Sequence, residues 1–133
     1  MSGTVVYVDS SALLKLIFDE AETPALLEFL RAWPERVSSA LAHIEVSRIV
    51  GRVHDPAADR EARRVLRGIG VIRIDDGLVA TAAGIAPGRL RSLDAIHLAS
   101  ALLLGADLAG MLLYDARRGA AAREHHIKVW SPR

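Results

Sequence analysis

A chain of 133 residues is long enough to bury one real core, and its 51% apolar and 25% charged residues are the proportions of a soluble globular domain. A formal charge of +1 gives no bulk signal of a polyanion binder, and the absence of cysteine excludes disulfides, thiolate metal sites and a cysteine nucleophile. No basic segment followed by an apolar run opens the chain, and the most apolar region, residues 90–114, is interrupted by Asp94, His97 and Asp107, so a cytoplasmic single domain over residues 1–133, with no signal peptide and no membrane span, is expected.

In chain order, the β-branched run Val5 to Val8 predicts a buried strand that stops at Asp9. Ser10 and Ser11 offer capping oxygens, and Leu13, Leu14, Ile17 and Phe18 continue at helical spacing. Thr23-Pro24 reads as the N-cap and first residue of a second helix, with Leu26, Leu27, Leu30 and Trp33 on its apolar face. A short strand at Val37-Ser38-Ser39 precedes a mostly buried helix from Ala40 to Val53, in whose middle sits Glu45. Asp55-Pro56 begins a further helix to Gly68, with Arg60, Arg63, Arg64 and Arg67 as a solvated stripe paired to Asp59 and Glu61. A strand over residues 71–74, an Ala-rich helix, the basic loop Arg89-Leu90-Arg91 and a helix capped by Ser92 follow. The strand 110–114 leads directly to Asp115, a short helix and a last strand over 127–130. Strands alternating with helices predict an α/β fold with a parallel sheet, whose ligands lie beyond the carboxyl ends of the strands.

Four acids occupy telling places. Asp9 and Asp115 follow strands, Asp94 lies in the first turn of a helix, and Glu45 interrupts an apolar helical face. Two unit charges about 5 Å apart repel by roughly 3 kcal/mol at an effective dielectric near 20, so such a gathering needs either protonated members or a shared cation. With oxygen ligands alone, that cation is expected to be Mg²⁺ or Mn²⁺. On this view Asp9→Asn relieves repulsion and stabilises the metal-free fold. Singly, each acid also has a structural explanation, as a helix-terminus charge, a cap or an ion-pair member.

The strings Asp9-Ser10-Ser11-Ala12-Leu13, Leu93-Asp94-Ala95-Ile96-His97-Leu98-Ala99 and Tyr114-Asp115-Ala116-Arg117, with Glu45 on its helix, resemble the successive motifs of PIN-domain ribonucleases. The nearest likeness is to the VapC toxins of toxin–antitoxin pairs, and it covers nearly the whole chain. The resemblance implies a three-layer α/β/α fold with sheet order 3-2-1-4-5 and an acidic pocket for Mg²⁺. Asp9 and Asp94 would be the principal ligands, completed by Glu45 and Asp115, and the activity would be metal-dependent cleavage of RNA leaving a 5′-phosphate and a 3′-hydroxyl. It further implies a homodimer and a VapB-like antitoxin partner that presents a basic residue to the acids. Leu26, Leu27, Leu30 and Trp33 are candidates for the antitoxin groove. The chain departs from the family pattern at Leu113, where Thr or Ser is usual, and at Arg118 and Gly119, where Leu and Ala are commoner.

Arg89, Arg91, Arg117 and Arg118 flank the acids in sequence and are the candidate phosphate contacts, with Ser10 as a further substrate-binding candidate. Glu45 is the candidate acceptor for a water proton. His97, three residues beyond Asp94 on the same helical face, reads as a structural histidine. Two other readings stay open: a catalytically silent RNA- or antitoxin-binding module, suggested by Leu113, and a phosphotransferase with Asp9 as nucleophile.

Overall fold

The β-branched run near the start of the chain is strand β1, Val5–Val8. In the computed structural model, which describes residues 3–133, β1 takes the centre of the sheet. It pairs with β2 (Glu35–Ser39) on one side and β4 (Leu108–Leu112) on the other, with β3 (Gly70–Ile72) and β5 (Val129–Trp130) at the edges. Every pairing is parallel and the order is 3-2-1-4-5, as the family resemblance implies.

A parallel sheet needs cover on both faces. The pleat supplies two sets of side chains: Val6, Val8 and Leu112 enter one layer, whereas Tyr7, Met111 and Leu113 enter the other. The first layer is made by α1 (Ser10–Ile17), α2 (Thr23–Leu30), α3 (Ala40–Val53) and α4 (Pro56–Arg67), which contribute Leu13, Leu26, Val46 and Val65. The second is made by α6 (Ser92–Leu102) and α7 (Ala116–Glu124), through Leu98, Ala121 and Ala122. Helix α5 (Asp76–Gly84) packs beside α6. No helix of the described residues is long and apolar enough to cross a membrane.

The elements differ from the sequence expectation where tertiary pairing decides their ends. The expected strand 71–74 is β3, Gly70–Ile72, because its neighbour β2 turns into α3 after Ser39, opposite Ile72, and leaves Arg73 and Ile74 nothing to pair with. Strand β4 begins at Leu108, earlier than expected, through a register shift beside Val5 and Val6. It ends at Leu112, so Asp115 lies three residues past the strand end. Gly110 is packed so closely that a Cβ would meet Trp130 Cζ3 at 2.6 Å and the Lys128 carbonyl at 2.8 Å.

Thr23 does not cap α2. It is the first helical residue, and its hydroxyl accepts from the Glu20 backbone N–H and donates to the Lys15 carbonyl, tying α2 to the end of α1. Nor does Ser92 cap α6; it is the first helical residue and Arg91 precedes it without a side-chain cap. Helix α3 buries only Ala42, Val46 and Val50, leaving Ile44 and Val53 exposed. The expected apolar groove on α2 is mostly core: Leu26 and Leu30 are buried, Trp33 stacks on Phe29 and leans on Trp130, and Leu27 alone of the four is exposed. The arginines of α4 are exposed, with Arg64 paired to Glu61.

Candidate functional site

Strand β1 delivers Asp9 to the carboxyl edge of the sheet, where its carboxylate caps α1. Asp9 Oδ2 accepts from the Ser11 backbone N–H (3.1 Å) and from Ser11 Oγ (2.6 Å). The same serine oxygen accepts from the Tyr114 backbone N–H at 2.9 Å, so the loop after β4 is tied to the start of α1. Asp9 is completely buried, and so is Asp94 but for 2% of its surface, in the first turn of α6.

These two acids do meet, on a residue of the chain itself. Arg118, in the first turn of α7 and 7% exposed, donates through Nη1 to both Asp9 oxygens, at 2.7 and 2.8 Å, and through Nε to Asp94 Oδ1 at 3.0 Å. Arg117 Nε adds a longer bond to Asp94 Oδ2 at 3.3 Å. Burial disfavours the Arg118 charge, but Asp9, Asp94 and Asp115 outweigh that and hold its proton more tightly than in a free arginine. The repulsion expected among the acids is thus compensated internally. The expectation that Asp9→Asn stabilises the fold therefore reverses, because the substitution removes a partner from a satisfied pair.

Glu45 belongs to a second, connected chain. Its Oε1 lies 2.8 Å from His97 Nε2, while His97 Nδ1 lies 2.6 Å from the Tyr7 hydroxyl and 3.7 Å from Asp9 Oδ1. The Tyr7 oxygen accepts from the Ser39 backbone N–H at 3.2 Å. One proton arrangement satisfies every member: Tyr7 donates to Nδ1 of a neutral His97, whose Nε2–H donates to an ionised Glu45. Burial, followed by the Asp9 charge, pushes the Tyr7 hydroxyl far up, which keeps it a donor. Burial works to raise the Glu45 carboxyl, yet the hydrogen bond from His97, with help from Arg118 and Ser10, holds it below the usual carboxylate range.

Asp115 turns elsewhere. Its Oδ1 accepts from the Arg118 backbone N–H at 3.0 Å and caps α7. Partial burial would raise its carboxyl, but that bond and the Arg118 and Arg117 charges carry it below its ordinary value. Asp115→Ala is expected to cost about 1 kcal/mol, the usual worth of an N-cap, and Asp115→Asn to recover most of it. Because the carboxyl is lowered in the fold, its contribution is complete above the unfolded value and fades as pH falls through the folded one. Thermal melts of the two variants across acid pH check this, since only the wild-type cap titrates.

Of the candidate phosphate contacts, Arg89, Arg91 and Arg117 line one hollow together with Pro87, Leu90 and Glu124. Arg117 connects this hollow to Asp94. Ser10 lies apart from it, beside Glu45. Sequence reasoning took Arg118 for a phosphate contact, whereas it is the hub between Asp9 and Asp94, and did not foresee Tyr7 as a polar member; the available signals were that Arg118 stands one helical turn after Asp115 and where the family commonly has Leu.

The oxygen donors are of the type that suits Mg²⁺, but their arrangement does not fit a bound ion. Among the described residues no three His, Asp or Glu side chains are grouped as ligands, and a guanidinium fills the space between Asp9 and Asp94.

The PIN-domain family model matches residues 6–115. This chain belongs to the PIN-domain family. Ribonuclease VapC46 of Mycobacterium tuberculosis is 42% identical over 127 residues, covering 96% of this chain and 97% of the relative; Ribonuclease VapC47 of the same species is 35% identical over 132 residues, at the same coverage. In fold, it is similar to a chain of a toxin–antitoxin complex from Klebsiella pneumoniae (TM-score 0.74, 21% identity, 96% of this chain and 98% of that one). It is also similar to M. tuberculosis VapC20, a sarcin-ricin loop cleaving toxin (TM-score 0.67, 20% identity, 87% and 94%). Within this PIN domain, two of the departures from the family pattern are one packing unit. A Cβ on Gly119 would meet Leu113 Cδ1 at 3.2 Å, so the larger residue on β4's exit and the smaller one on α7 compensate each other. The third, Arg118, changes the charge of the pocket.

Proposed function

We propose that this chain is an endoribonuclease that acts in the cytoplasm as the toxin of a toxin–antitoxin pair, hydrolysing RNA phosphodiester bonds at the pocket formed by Asp9, Asp94 and Glu45. The observation that carries the reading is the convergence of Asp9 and Asp94, from elements far apart in sequence, on one buried cation at the strand ends. The near full-length likeness to proteins named ribonucleases supports the class of reaction. Arg89, Arg91 and Arg117 would hold the RNA backbone as a phosphate clamp without reading sequence. Glu45, ionised and fixed by His97, is the acceptor for the proton of an attacking water. Asp115 serves the site indirectly, by capping the helix that carries both arginines. With Arg118 displaced, Asp9 and Asp94 would be the residues to hold a divalent ion, Mg²⁺ or Mn²⁺, which would supply water activation and charge neutralisation. The partners are RNA, a VapB-like antitoxin and a second copy of the chain.

Arg118 also favours a second reading, a binding module with no turnover, since it neutralises the pocket. The phosphotransferase reading loses ground because both Asp9 oxygens already accept hydrogen bonds from Arg118. Incubation of the purified protein with end-labelled RNA, with and without EDTA, separates these. Chelator-sensitive cleavage yielding 5′-phosphate ends is expected, abolished by Asp94→Asn. Binding without cleavage at any divalent ion concentration would instead establish the silent module.

A further inference from the structure

We propose that Arg118 is a built-in counter-cation that competes with divalent metal for Asp9 and Asp94, so that the acids are held ready in a metal-free resting state and accept an ion only when this side chain swings away. The inference rests on the ribonuclease reading for its purpose, but its physical content concerns cation occupancy alone.

Three observations point this way. The guanidinium engages both oxygens of Asp9 and one of Asp94, so an ion touching the two acids must take its place. Both acids are buried, so neither can turn to solvent and offer an ion a separate face. The charge is fixed to the chain, which gives it an effective local concentration of the order of millimolar or above, comparable with that of the ions it opposes. If the open form has population f, the apparent metal dissociation constant is the intrinsic one divided by f, and an open population below about a tenth weakens binding at least tenfold. Arg117 does not replace this function. It reaches only Asp94, by a longer bond, and its side chain is 53% exposed.

The decisive measurement is Mn²⁺ binding to the intact chain, read by the loss of the free-ion electron paramagnetic resonance signal, paired with thermal melts in EDTA and in Mg²⁺. Wild-type protein is expected to bind weakly and to melt at nearly the same temperature in both. Arg118→Leu, which restores the commoner family residue, is expected to melt lower in EDTA, to regain stability in Mg²⁺ and to bind Mn²⁺ about tenfold tighter or more. Adding Asp94→Asn to Arg118→Leu is expected to erase that gain; persistence of the gain places the ion elsewhere and overturns the proposal. Equal binding by wild type and Arg118→Leu overturns it too, whether both are tight or both absent. Should Arg118→Leu fail to fold, Arg118→Lys keeps a charge but loses the fork, and it must show an intermediate gain for the proposal to stand. None of these readouts requires RNA, so an inactive protein that nevertheless gains metal on losing Arg118 refutes the ribonuclease reading and leaves the competition intact.

Discussion

Asp9→Asn is expected to destabilise the metal-free protein by about 3 kcal/mol, the usual consequence of removing one member of a buried ion pair, and to abolish RNA cleavage. Asparagine is nearly isosteric and remains a competent N-cap, so the Ser11 backbone bond at the start of α1 survives and the loss reports charge. What the variant leaves behind is Arg118, 7% exposed, with Asp94 as its remaining buried counter-charge. For a domain of this size the melting temperature should fall by roughly 10 °C in EDTA. A variant that melts higher than wild type without divalent ions would mean that the carboxylates repel one another more than Arg118 attracts them, and the arrangement of the pocket described above would be wrong. The measurement is a pair of reversible melts with chelator present, which keeps metal rescue out of the comparison.

His97→Leu is expected to cost about 3 kcal/mol by a different route. The imidazole is fully buried and serves two partners. Its loss takes away the acceptor of the Tyr7 O–H, which keeps only the bond from the Ser39 N–H, and removes the donor that fixes Glu45; a buried polar group that loses its partner costs about 1–3 kcal/mol. Tyr7→Phe should cost less, because the His97–Glu45 bond stays in place, although His97 Nδ1 and the Ser39 backbone N–H lose their partner. In the double variant the two losses should fall short of their sum, since the bond between Tyr7 and His97 is lost only once. Glu45 supplies the chemical readout. His97 now helps to hold its carboxyl low, so without the imidazole that carboxyl rises toward its burial-raised value. The acid limb of the cleavage pH profile then moves to higher pH, because the ionised base form is lost sooner on acidification. Strictly additive stability losses, with an unmoved acid limb, would show that the three residues do not act as one chain.

Much of the frame was legible because its signals are local. Val5 to Val8 forms the expected strand and a helix follows at once, although Asp9 caps it and Ser10 and Ser11, the expected caps, are its first helical residues; the motif around Asp94 lies on the helix its own spacing implies. The sheet order followed from a family resemblance rather than from periodicity. What stayed hidden depends on distance along the chain. Arg118 meets partners 24 and 109 residues away, and although it stands where Leu is commoner, nothing local says which acids its charge would meet. Tyr7 was read as an ordinary apolar strand residue, and its ring does lie in the core; only the fold brings an imidazole from 90 residues away to its hydroxyl. The caps expected at Thr23 and Ser92 failed because a hydroxyl before or within a first turn looks the same in sequence, whereas the Lys15 carbonyl and the Glu20 amide decide which role Thr23 takes.

The first turn of α7 has a bearing on how such proteins diversify. Capping carboxylate, solvent-facing arginine and buried arginine stand within four successive positions, Asp115 to Arg118, while the acids they serve are spread over the rest of the chain. One codon at position 118 can therefore exchange the resting occupant of the pocket with every acid left untouched. Two siblings with identical acidic signatures would then differ about tenfold or more in their hold on a divalent ion, and an inventory of carboxylates would rank them as equals.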